Sequence, residues 1–545
     1  MMIMRKKELM KKDIKLRGEF QYRILKNYTR LQEREYRPEY MFRQTEAGYD
    51  WPGDWEGRTL LALVLLKRIT GAEPAYLEEL LLGLYELLKE KGYLGVPNIE
   101  KGQIDEQQLS GHNWLLRGLL ECASCDLRPM IEEMIVNMVE HLYLPALGFY
   151  ERYPLDKCRN YNGNAIGELQ KETVNGWLLS TDIGCAYMSL DALSQYYQIY
   201  HDERILPLLR EMAETFMKID FAGASLQTQA SLCATRGILR LYQETGEEKY
   251  WAFAKYLFDF YFETGMTENY GNYNWFGRPT WTEPCAIVDS FLLAVELFKQ
   301  SENSRYLEIA NKILYNALGY AQRSNGGFGC DKCAVAGGEN ELLWVQEELY
   351  EASWCCSMRG AEGLTFAASN AFWQGKDRGF FTNYLSGEYD WGDLKFTVDT
   401  AFPYKGKIVV SVEKCPAEYR LKCFIPEHTD LKKLRVWIDD KSASVELEGG
   451  MLLVTLPGPC TLTLDIPLHI HTLDTIQPST KRSCWYGILQ LGCDAEDEIA
   501  LEDLEKCQYN EAGCFSLREH VLFPINQNIY ASREDVLKRK VKILF

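Results

Sequence analysis

The sequence is poor in histidine and has no long apolar run. Seven histidines occur among 545 residues, and those in the helical part lack the i, i+4 spacing of zinc metalloproteases. The longest apolar runs, such as 59–66, are far shorter than a membrane-spanning helix. Residues 1–17 are basic and broken by charges, without the apolar stretch of a secretory signal. We therefore expect no metalloprotease, no membrane partner and a cytoplasmic location.

Positive charge is also in short supply. The chain has 60 Lys and Arg against 78 Asp and Glu, which gives a net charge of −18 and a pI near 5.1. Such a surface repels phosphate backbones, so we expect no nucleic acid partner. The sequence has no Walker loop, no Gly-x-Ser-x-Gly elbow and no dinucleotide fingerprint at a strand-to-helix turn. The function classes that depend on those motifs are excluded.

Cysteine and aromatic residues are plentiful. Seventeen cysteines without an export signal predict reduced thiols, which favours metal binding or catalysis over disulfides. Aromatic residues make up 13% of the chain, with 33 Tyr and 13 Trp. Such side chains line clefts for sugars and other small molecules, and they also fill ordinary cores. The composition is equally compatible with both.

Residues 51–373 carry the repeated pattern of helical hairpins. Amphipathic runs alternate with polar breaks at 69–76, 200–205, 244–250 and 300–306, and each break has the length of an αα-hairpin turn. This repetition predicts about twelve helices. Wide apolar runs predict an inner ring of helices with little water contact, so we expect a closed α/α barrel rather than an open solenoid. The ligand would then lie at the mouth, among the loops between hairpins.

After residue 374 the pattern changes to that of β-strands. Segments such as 395–399, 408–412 and 451–456 alternate apolar and polar residues between turns rich in Gly, Pro and Asp, which is typical of a β-sandwich. The predicted fold is multidomain, α then β, with a barrel followed by one or two β-sandwich domains. The predicted divisions are a barrel catalytic domain at 1–375, a β-sandwich at 376–475 and a C-terminal β-rich segment at 476–545.

Two short motifs offer metal ligands. Glu283 and Cys285 stand where a loop opens a helix, and the adjacent pair Cys355 and Cys356 precedes another helical stretch. Three thiols and a carboxylate could close a tetrahedral zinc site of Cys₃Glu type. A thiolate in such a site is a nucleophile.

Two alternatives stay open for these cysteines. Cys330 and Cys333 could join Cys355 and Cys356 in an all-thiol site, which would be purely structural. Random order would also produce about 0.5 adjacent Cys pairs in a chain of this composition, so the pair could be buried small hydrophobes.

Glu268 is a candidate general acid. It stands in a loop among Tyr270, Tyr273, Trp275 and Phe276. Partial desolvation there would raise the pKa of its carboxyl and suit it to proton donation. The commoner alternative for any one glutamate is a solvated loop position.

The run 267–285, the Cys pair, and the strands after Asp393 together resemble glycoside hydrolase family 127, the β-L-arabinofuranosidase family. The resemblance implies an (α/α)₆ barrel followed by β-sandwich domains. It also implies that zinc is held by Glu283, Cys285, Cys355 and Cys356. Cys355 would be the nucleophile and Glu268 the acid and base.

The residues that would contact the sugar agree less well with the family. His112 resembles a sugar-contacting histidine, while Asn311 stands where the family has a carboxylate. The positions of two later family histidines read 182–186 and 227–229 here. Altered hydroxyl contacts can change substrate discrimination by orders of magnitude, so the sugar need not be L-arabinofuranose. The predicted substrate-binding residues are His112, Asn311, Trp55 and Asp54.

Three functions follow from these observations. The first is a retaining exo-glycoside hydrolase that acts on a small glycoside or oligosaccharide, such as a β-L-arabinofuranoside, with a zinc-bound cysteine nucleophile. The second is a non-catalytic carbohydrate-binding or scaffold protein with a structural zinc. The third keeps the barrel but uses carboxylates alone, as a hydrolase or an epimerase. A homodimer through the β-domain is an expectation from the resemblance only.

Overall fold

The computed structural model describes residues 13–46, 50–154, 167–375, 377–497, 499–504, 506–509, 514–517 and 520–545. The helices in this part of the chain are α1 (Gly18–Arg30), α2 (Pro38–Glu46), α3 (Asp54–Thr70), α4 (Leu77–Leu88), α5 (Glu106–Cys125), α6 (Pro129–Met138), α7 (Ser189–Tyr200), α8 (Leu206–Phe216), α9 (Thr228–Thr245), α10 (Glu248–Thr264), α11 (Pro284–Ser301), α12 (Ser304–Lys312), α13 (Gly319–Ala321), α14 (Cys356–Asn370), α15 (Leu501–Leu504) and α16 (Arg533–Lys538). Among the described residues, every helix is too short or too polar to cross a bilayer.

The strands follow mainly after residue 370. They are β1 (Asp13–Leu16), β2 (Ile104–Asp105), β3 (Leu169–Val174), β4 (Trp177–Ser180), β5 (Leu342–Leu343), β6 (Phe372–Gln374), β7 (Arg378–Phe381), β8 (Gly387–Asp390), β9 (Lys395–Thr400), β10 (Lys407–Lys414), β11 (Tyr419–Cys423), β12 (Arg435–Ile438), β13 (Lys441–Ser442), β14 (Glu446–Glu448), β15 (Met451–Leu456), β16 (Cys460–Asp465), β17 (Ile470–Asp474), β18 (Arg482–Tyr486), β19 (Leu489–Asp494), β20 (Gln508–Tyr509), β21 (Phe515–Leu517), β22 (His520–Pro524) and β23 (Val541–Lys542).

Six helices close into a ring. Neighbouring helices pack in the order α3, α5, α7, α9, α11 and α14, and α14 packs back against α3. The helices α4, α6, α8, α10, α12 and α1 pair with them from outside. The predicted (α/α)₆ barrel is confirmed.

Burial separates the two layers of the barrel. The inner helix α5 buries 17 of its 20 residues, whereas the outer helix α10 buries 6 of 17. Glycine allows the inner helices to touch, since a Cβ on Gly57 would lie 2.1 Å from the backbone nitrogen of Leu115 in α5. The wide apolar runs in the sequence therefore belong to helices that water does not reach.

Charged side chains fill the axis of the barrel. Asp191 on α7 accepts hydrogen bonds from Arg117 at 2.7 Å and from Arg240 at 3.0 Å, and Arg236 also approaches it. Arg236 in turn donates to Asp289 on α11 at 2.7 Å. Buried arginines are tolerated because each meets a carboxylate.

Two sheets form the first β-sandwich, and a third sheet lies in the C-terminal segment. The sandwich sheets have the strand orders β1-β8-β9-β10-β16-β12-β13 and β14-β15-β11-β7-β6. The third follows the path β17-β18-β19-β22-β21-β20, with β23 and β5 joined at its side. Fold class is confirmed as α then β. The predicted boundaries stay a prediction, and strand pairing crosses them, because β1 pairs with β8 and β5 with β23.

The inner helices all point the same way. Each is linked to the next through an antiparallel outer helix or a loop that returns along the barrel, so their N-termini gather at one end. We call this end the mouth. The first backbone N–H groups of the inner helices lie at this end, and on α5 the carboxyl of Asp105 accepts hydrogen bonds from those of Gln107 and Gln108.

Candidate active site

Three cysteine sulfurs meet at the mouth. Cys285 is the second residue of α11, Cys356 is the first residue of α14, and Cys355 directly precedes it. The Sγ atoms of Cys285 and Cys356 are 3.7 Å apart, and those of Cys355 and Cys356 are 3.4 Å apart. All three lie within 4.8 Å of one another, so the cluster could bind a metal ion. The structure thus brings together two segments that stand 70 positions apart.

The spacing and chemistry of the cluster fit zinc. Bonds of about 2.3 Å at tetrahedral angles separate two sulfurs by roughly 3.8 Å, close to the distances found. Burial raises the pKa of Cys285 and of Cys356 well above the usual thiol value. Thiols in this setting ionise together only beside a cation, and soft thiolates prefer zinc among the common divalent ions.

Glu283 stands at the start of α11, beside the cluster. Its backbone N–H donates to the Oδ1 atom of Asn272 at 2.8 Å. Burial, followed by the nearby carboxyl of Asp182, raises the pKa of Glu283 to about 8. Its Oε2 atom is buried and has no hydrogen-bond partner among the described residues. The carboxyl lies outside the group of mutually close ligand atoms, so its part in the site rests on this orphaned oxygen.

Arg58 brings positive charge to the sulfurs. Its Nη1 donates to the sulfur of Cys285 at 3.6 Å, and its Nε donates to both carboxyl oxygens of Asp54 at 2.9 Å. The guanidinium lies 4.2 Å from the ring centroid of Trp114, and that of Arg359 lies 4.4 Å from the same centroid. This stacking holds Arg58 in one orientation and favours the thiolate form of its neighbour.

Glu268 faces the C-terminal sheet. Its carboxyl oxygens accept hydrogen bonds from the backbone N–H of Ile476 at 2.9 Å and of Gln477 at 3.0 Å. Burial raises the pKa of this carboxyl, as the sequence predicts, and the backbone donors oppose that shift. Among the described residues, no hydrogen bond joins Glu268 to the sulfur cluster. Its role as acid and base stays a prediction.

His112 has no ring nitrogen left for a ligand. Nε2 accepts from the backbone N–H of Leu94 at 2.8 Å, and Nδ1 lies 2.7 Å from the carbonyl oxygen of Gln108. Burial lowers the pKa of His112 to about 4, so the ring is neutral, with its proton on Nδ1. His112 therefore links the loop 94–98 to α5. These two contacts occupy both ring nitrogens, which the predicted contact to sugar would need.

Asn311 and Trp55, two of the predicted sugar contacts, lie on different helices of the barrel. Asn311 lies on the outer helix α12, and its amide donates to the carbonyl oxygens of Leu307 at 2.9 Å and of Thr382 at 3.0 Å. These bonds join the barrel to the first sandwich rather than to the cluster. Trp55 is half-buried next to Asp54, with its ring edge-on to Tyr40. Their sugar-binding roles stay predictions.

The all-thiol alternative is not what the structure favours. The sulfur of Cys333 donates to the carbonyl oxygen of Asn272 at 3.4 Å and packs with Tyr273 and Val335 in a cluster of its own. Cys330 is buried near Cys356. Within the described part of the chain, the group of mutually close ligand sulfurs contains Cys285 and neither of these two.

Sequence reasoning missed four polar side chains at the mouth. Asp182, Gln227, Gln229 and Asn274 are each at most 5% exposed. Each has a buried polar atom without a hydrogen-bond partner among the described residues. Burial raises the pKa of Asp182 to about 7, while the backbone N–H of Gly167 opposes the shift. The signal in the sequence was positional, since Asp182, Gln227 and Gln229 lie within the ranges 182–186 and 227–229, where the family tends to have histidines.

Comparisons with known proteins match the part of the chain that contains the cysteine cluster. A model of the GH127 β-L-arabinofuranosidase catalytic domain matches residues 262–369, which contain Glu268, Glu283 and the three clustered cysteines. No curated protein was found with a significant sequence match.

Solved structures resemble the chain over almost its whole length. A protein described as a glycoside hydrolase is 13% identical with a TM-score of 0.71, covering 98% of this chain and 96% of that one. A GH127 β-L-arabinofuranosidase from Geobacillus stearothermophilus T6 is 12% identical with a TM-score of 0.70, covering 98% and 99%. At such identities the likeness shows the fold. Together with the matching catalytic segment, it confirms the resemblance predicted from the sequence.

Proposed function

We propose that this chain, which has the fold of the GH127 enzymes and their catalytic-domain pattern at 262–369, is a retaining exo-glycoside hydrolase. Its substrate would be a furanoside such as a β-L-arabinofuranoside. The observation that carries the proposal is the cluster of Cys285, Cys355 and Cys356 beside Arg58 at the barrel mouth.

The cluster together with Glu283 would hold a zinc ion. Zinc bound there would keep the sulfurs ionised at neutral pH and so supply a nucleophile without a neighbouring base. Cys355 is partly exposed, whereas Cys285 and Cys356 are buried. We therefore assign the attack on the substrate to Cys355, the least buried residue of the three.

The reaction would take two steps. The Cys355 thiolate attacks the anomeric carbon, the glycosidic C–O bond breaks, and its electron pair goes to the leaving oxygen, which takes the proton of Glu268. The Glu268 carboxylate then takes a proton from water, whose oxygen bonds to the anomeric carbon. The C–S bond breaks, and its electron pair returns to sulfur. Two inversions retain the configuration of the sugar.

A second candidate is a carbohydrate-binding protein with a structural metal. The observation that favours it is the anchoring of Glu268, whose two carboxyl oxygens both accept backbone hydrogen bonds from 476–477. A carboxyl held in this way is typical of a residue that fixes a loop.

Metal analysis and hydrolysis of a panel of aryl glycosides test the proposal. We expect about one zinc per chain, hydrolysis of an aryl furanoside, and product of retained configuration by NMR. Cys355→Ser should lower kcat by about 10³-fold or more, because oxygen is a poorer nucleophile at this pH. The control is Cys125→Ser, an exposed cysteine at the end of α5.

Two outcomes would contradict this assignment. Zinc at one per chain without hydrolysis of any glycoside would favour the binding protein. Full activity in Cys355→Ser, with zinc still bound, would exclude Cys355 as the nucleophile.

A further inference from the structure

We propose that His428, His469 and His471 bind a divalent transition-metal ion, such as Ni²⁺ or Zn²⁺, which joins the first β-sandwich to the C-terminal sheet. We call these three residues the histidine cluster. They are three of the seven histidines in the chain. All three belong to the β part of the molecule, whereas the clustered cysteines stand at helix starts in the barrel. The metal would therefore occupy a second site, distinct from the one at the mouth.

Two β units contribute to the histidine cluster. His469 directly precedes β17 and His471 is its second residue, so the two side chains lie on the same face of the strand. Strand β17 is at the edge of the third sheet. His428 comes from the first sandwich, in a turn after β11 that the N–H of Thr429 closes by donating to the carbonyl oxygen of Pro426 at 3.0 Å. An ion held by all three would link the two units.

The separation of the rings fits a shared ion. The ring centroid of His471 lies 4.6 Å from that of His428 and 5.5 Å from that of His469. A ring nitrogen lies about 1.1 Å from its centroid and binds zinc at about 2.0–2.1 Å, so two imidazoles on one tetrahedral ion have centroids roughly 5 Å apart.

Binding would require the outer rings to turn. Among the described residues, the ligand atoms that already lie mutually close are those of the three cysteines. His428 and His469 are exposed, whereas His471 is half-buried. Exposed side chains change rotamer at little cost, so the two outer rings can rotate toward a fixed central ring.

The central ring presents an unused nitrogen. Nδ1 of His471 lies 3.3 Å from the carbonyl oxygen of His469, which can only accept a hydrogen bond. The neutral ring therefore carries its proton on Nδ1 and a lone pair on Nε2. This Nε2 atom is buried and has no hydrogen-bond partner among the described residues. Metal-binding histidines are held in the same way, with the other ring nitrogen donating to a carbonyl or carboxylate.

The surroundings select the kind of ion. Neutral imidazole suits nickel, copper and zinc, whereas calcium and magnesium prefer oxygen ligands. Lys312 is an electrostatic neighbour of His471, but its ammonium is paired with the carboxyl of Glu308 at 3.4 Å. The carboxyl of Glu427, which precedes His428, is a further neighbour of Glu308. The nearby charges therefore admit a dication.

Titration of Ni²⁺ into the full chain, followed by calorimetry, tests the inference. We expect His469→Gln and His471→Gln each to weaken Ni²⁺ binding by at least about tenfold, because loss of a ligand should cost no less than loss of a group that orients one. Replacement of exposed His469 leaves the core untouched, so this variant tests the site without a folding defect. The matched control is His141→Gln, an exposed histidine on the barrel, which should bind as wild type does.

Two further measurements distinguish the histidine cluster from the cysteines. Ni²⁺ at imidazole should lack the strong near-ultraviolet sulfur-to-nickel absorption that thiolate ligands give. Bound Ni²⁺ should also raise the Tm of wild type and of His141→Gln, but not that of His469→Gln, because the ion stabilises only the state in which the two β units meet.

An affinity for Ni²⁺ within twofold of wild type in both His469→Gln and His471→Gln would overturn the inference. So would binding in wild type that produces only the sulfur-to-nickel absorption. The outcome is independent of the proposed function, since glycoside hydrolysis without this Ni²⁺ site would leave the enzyme, and the Ni²⁺ site without hydrolysis would leave the histidine cluster.

Discussion

At the scale of single residues, Arg58 connects groups that no single sequence motif contains. It joins three features, since it bonds Asp54, reaches the sulfur of Cys285 and stacks on Trp114. A planar guanidinium can make all these contacts at once, whereas an ammonium cannot. Under the proposed function Arg58 would orient a metal ligand without touching the metal, and such groups control metal affinity.

We expect Arg58→Lys to weaken zinc binding by about 10 to 100-fold, because the contacts to Asp54 and Trp114 are lost together. Competition with a chromogenic chelator would measure the change. Arg204→Lys is the control, since Arg204 also pairs with an aspartate but is half-exposed at the other end of the barrel. Unchanged zinc affinity in Arg58→Lys would contradict the role given to the guanidinium.

Glu268 can be assigned by varying the leaving group. If it is the acid, Glu268→Gln should slow hydrolysis by about 10² to 10⁴-fold for poor leaving groups and much less for dinitrophenyl glycosides, which need no proton. Steady-state rates on a series of aryl glycosides measure this. The control is Glu263→Gln, an exposed glutamate near the end of α10. An equal loss for every leaving group, with a lower Tm, would show an anchoring role instead.

At the scale of helices, close packing and ion pairs between the inner helices hold the site in place. Inner helices approach closely at glycine, and their remaining polar side chains pair across the axis. Asp191 on α7 is surrounded by Arg117, Arg236 and Arg240, one from α5 and two from α9. Burial by itself would raise the pKa of Asp191, but these arginines hold it well below its usual range.

We expect Asp191→Asn to lower the free energy of unfolding by about 3–5 kcal/mol, because it leaves buried arginines without their carboxylate. Urea titration would measure it. The depressed pKa stabilises the fold fully above the unfolded-state value of about 4, and this contribution is lost as pH falls through the folded value. The difference in free energy of unfolding between wild type and variant should therefore shrink below about pH 4.

The control is Glu347→Gln, which removes an exposed ion pair with Arg533 and should lower the free energy of unfolding by less than about 1 kcal/mol. Equal stability of wild type and Asp191→Asn at neutral pH would contradict the expectation.

At the scale of the whole molecule, the C-terminal sheet bonds to loops at the barrel mouth. Strand β23 pairs with β5 in the loop that carries Cys330 and Cys333, and the amide of Gln490 donates to the carbonyl oxygen of Glu268 at 3.0 Å. Two loops beside the site therefore contact strands of the C-terminal segment.

We expect Val541→Ser to loosen residues 330–345 without unfolding the barrel, because Val541 is buried where β23 meets β5. Hydrogen exchange should rise in that loop, while far-UV circular dichroism stays unchanged. Val521→Ser on β22 is the control, since that valine is 46% exposed. If hydrogen exchange at 330–345 does not rise, the sheet does not stabilise this loop.

The sequence predicted features that depend on neighbouring residues in the chain. Hairpin breaks such as 244–250 and the alternation at 408–412 are local patterns, so the barrel and sandwich could be predicted. The use of His112 and Asn311 could not, because their partners are backbone carbonyl and N–H groups, which carry no signal in side-chain identity.

By itself, the sequence determined the layers of the fold and the supply of three thiols and a carboxyl at helix starts. Only the tertiary structure decided which of these groups meet, which cation stands beside them, and which oxygens at Asp182 and its neighbours stay without partners. The physical reason is that helix and strand periodicity arises within a few residues, whereas hydrogen bonding and charge at a buried site depend on segments brought together from across the chain.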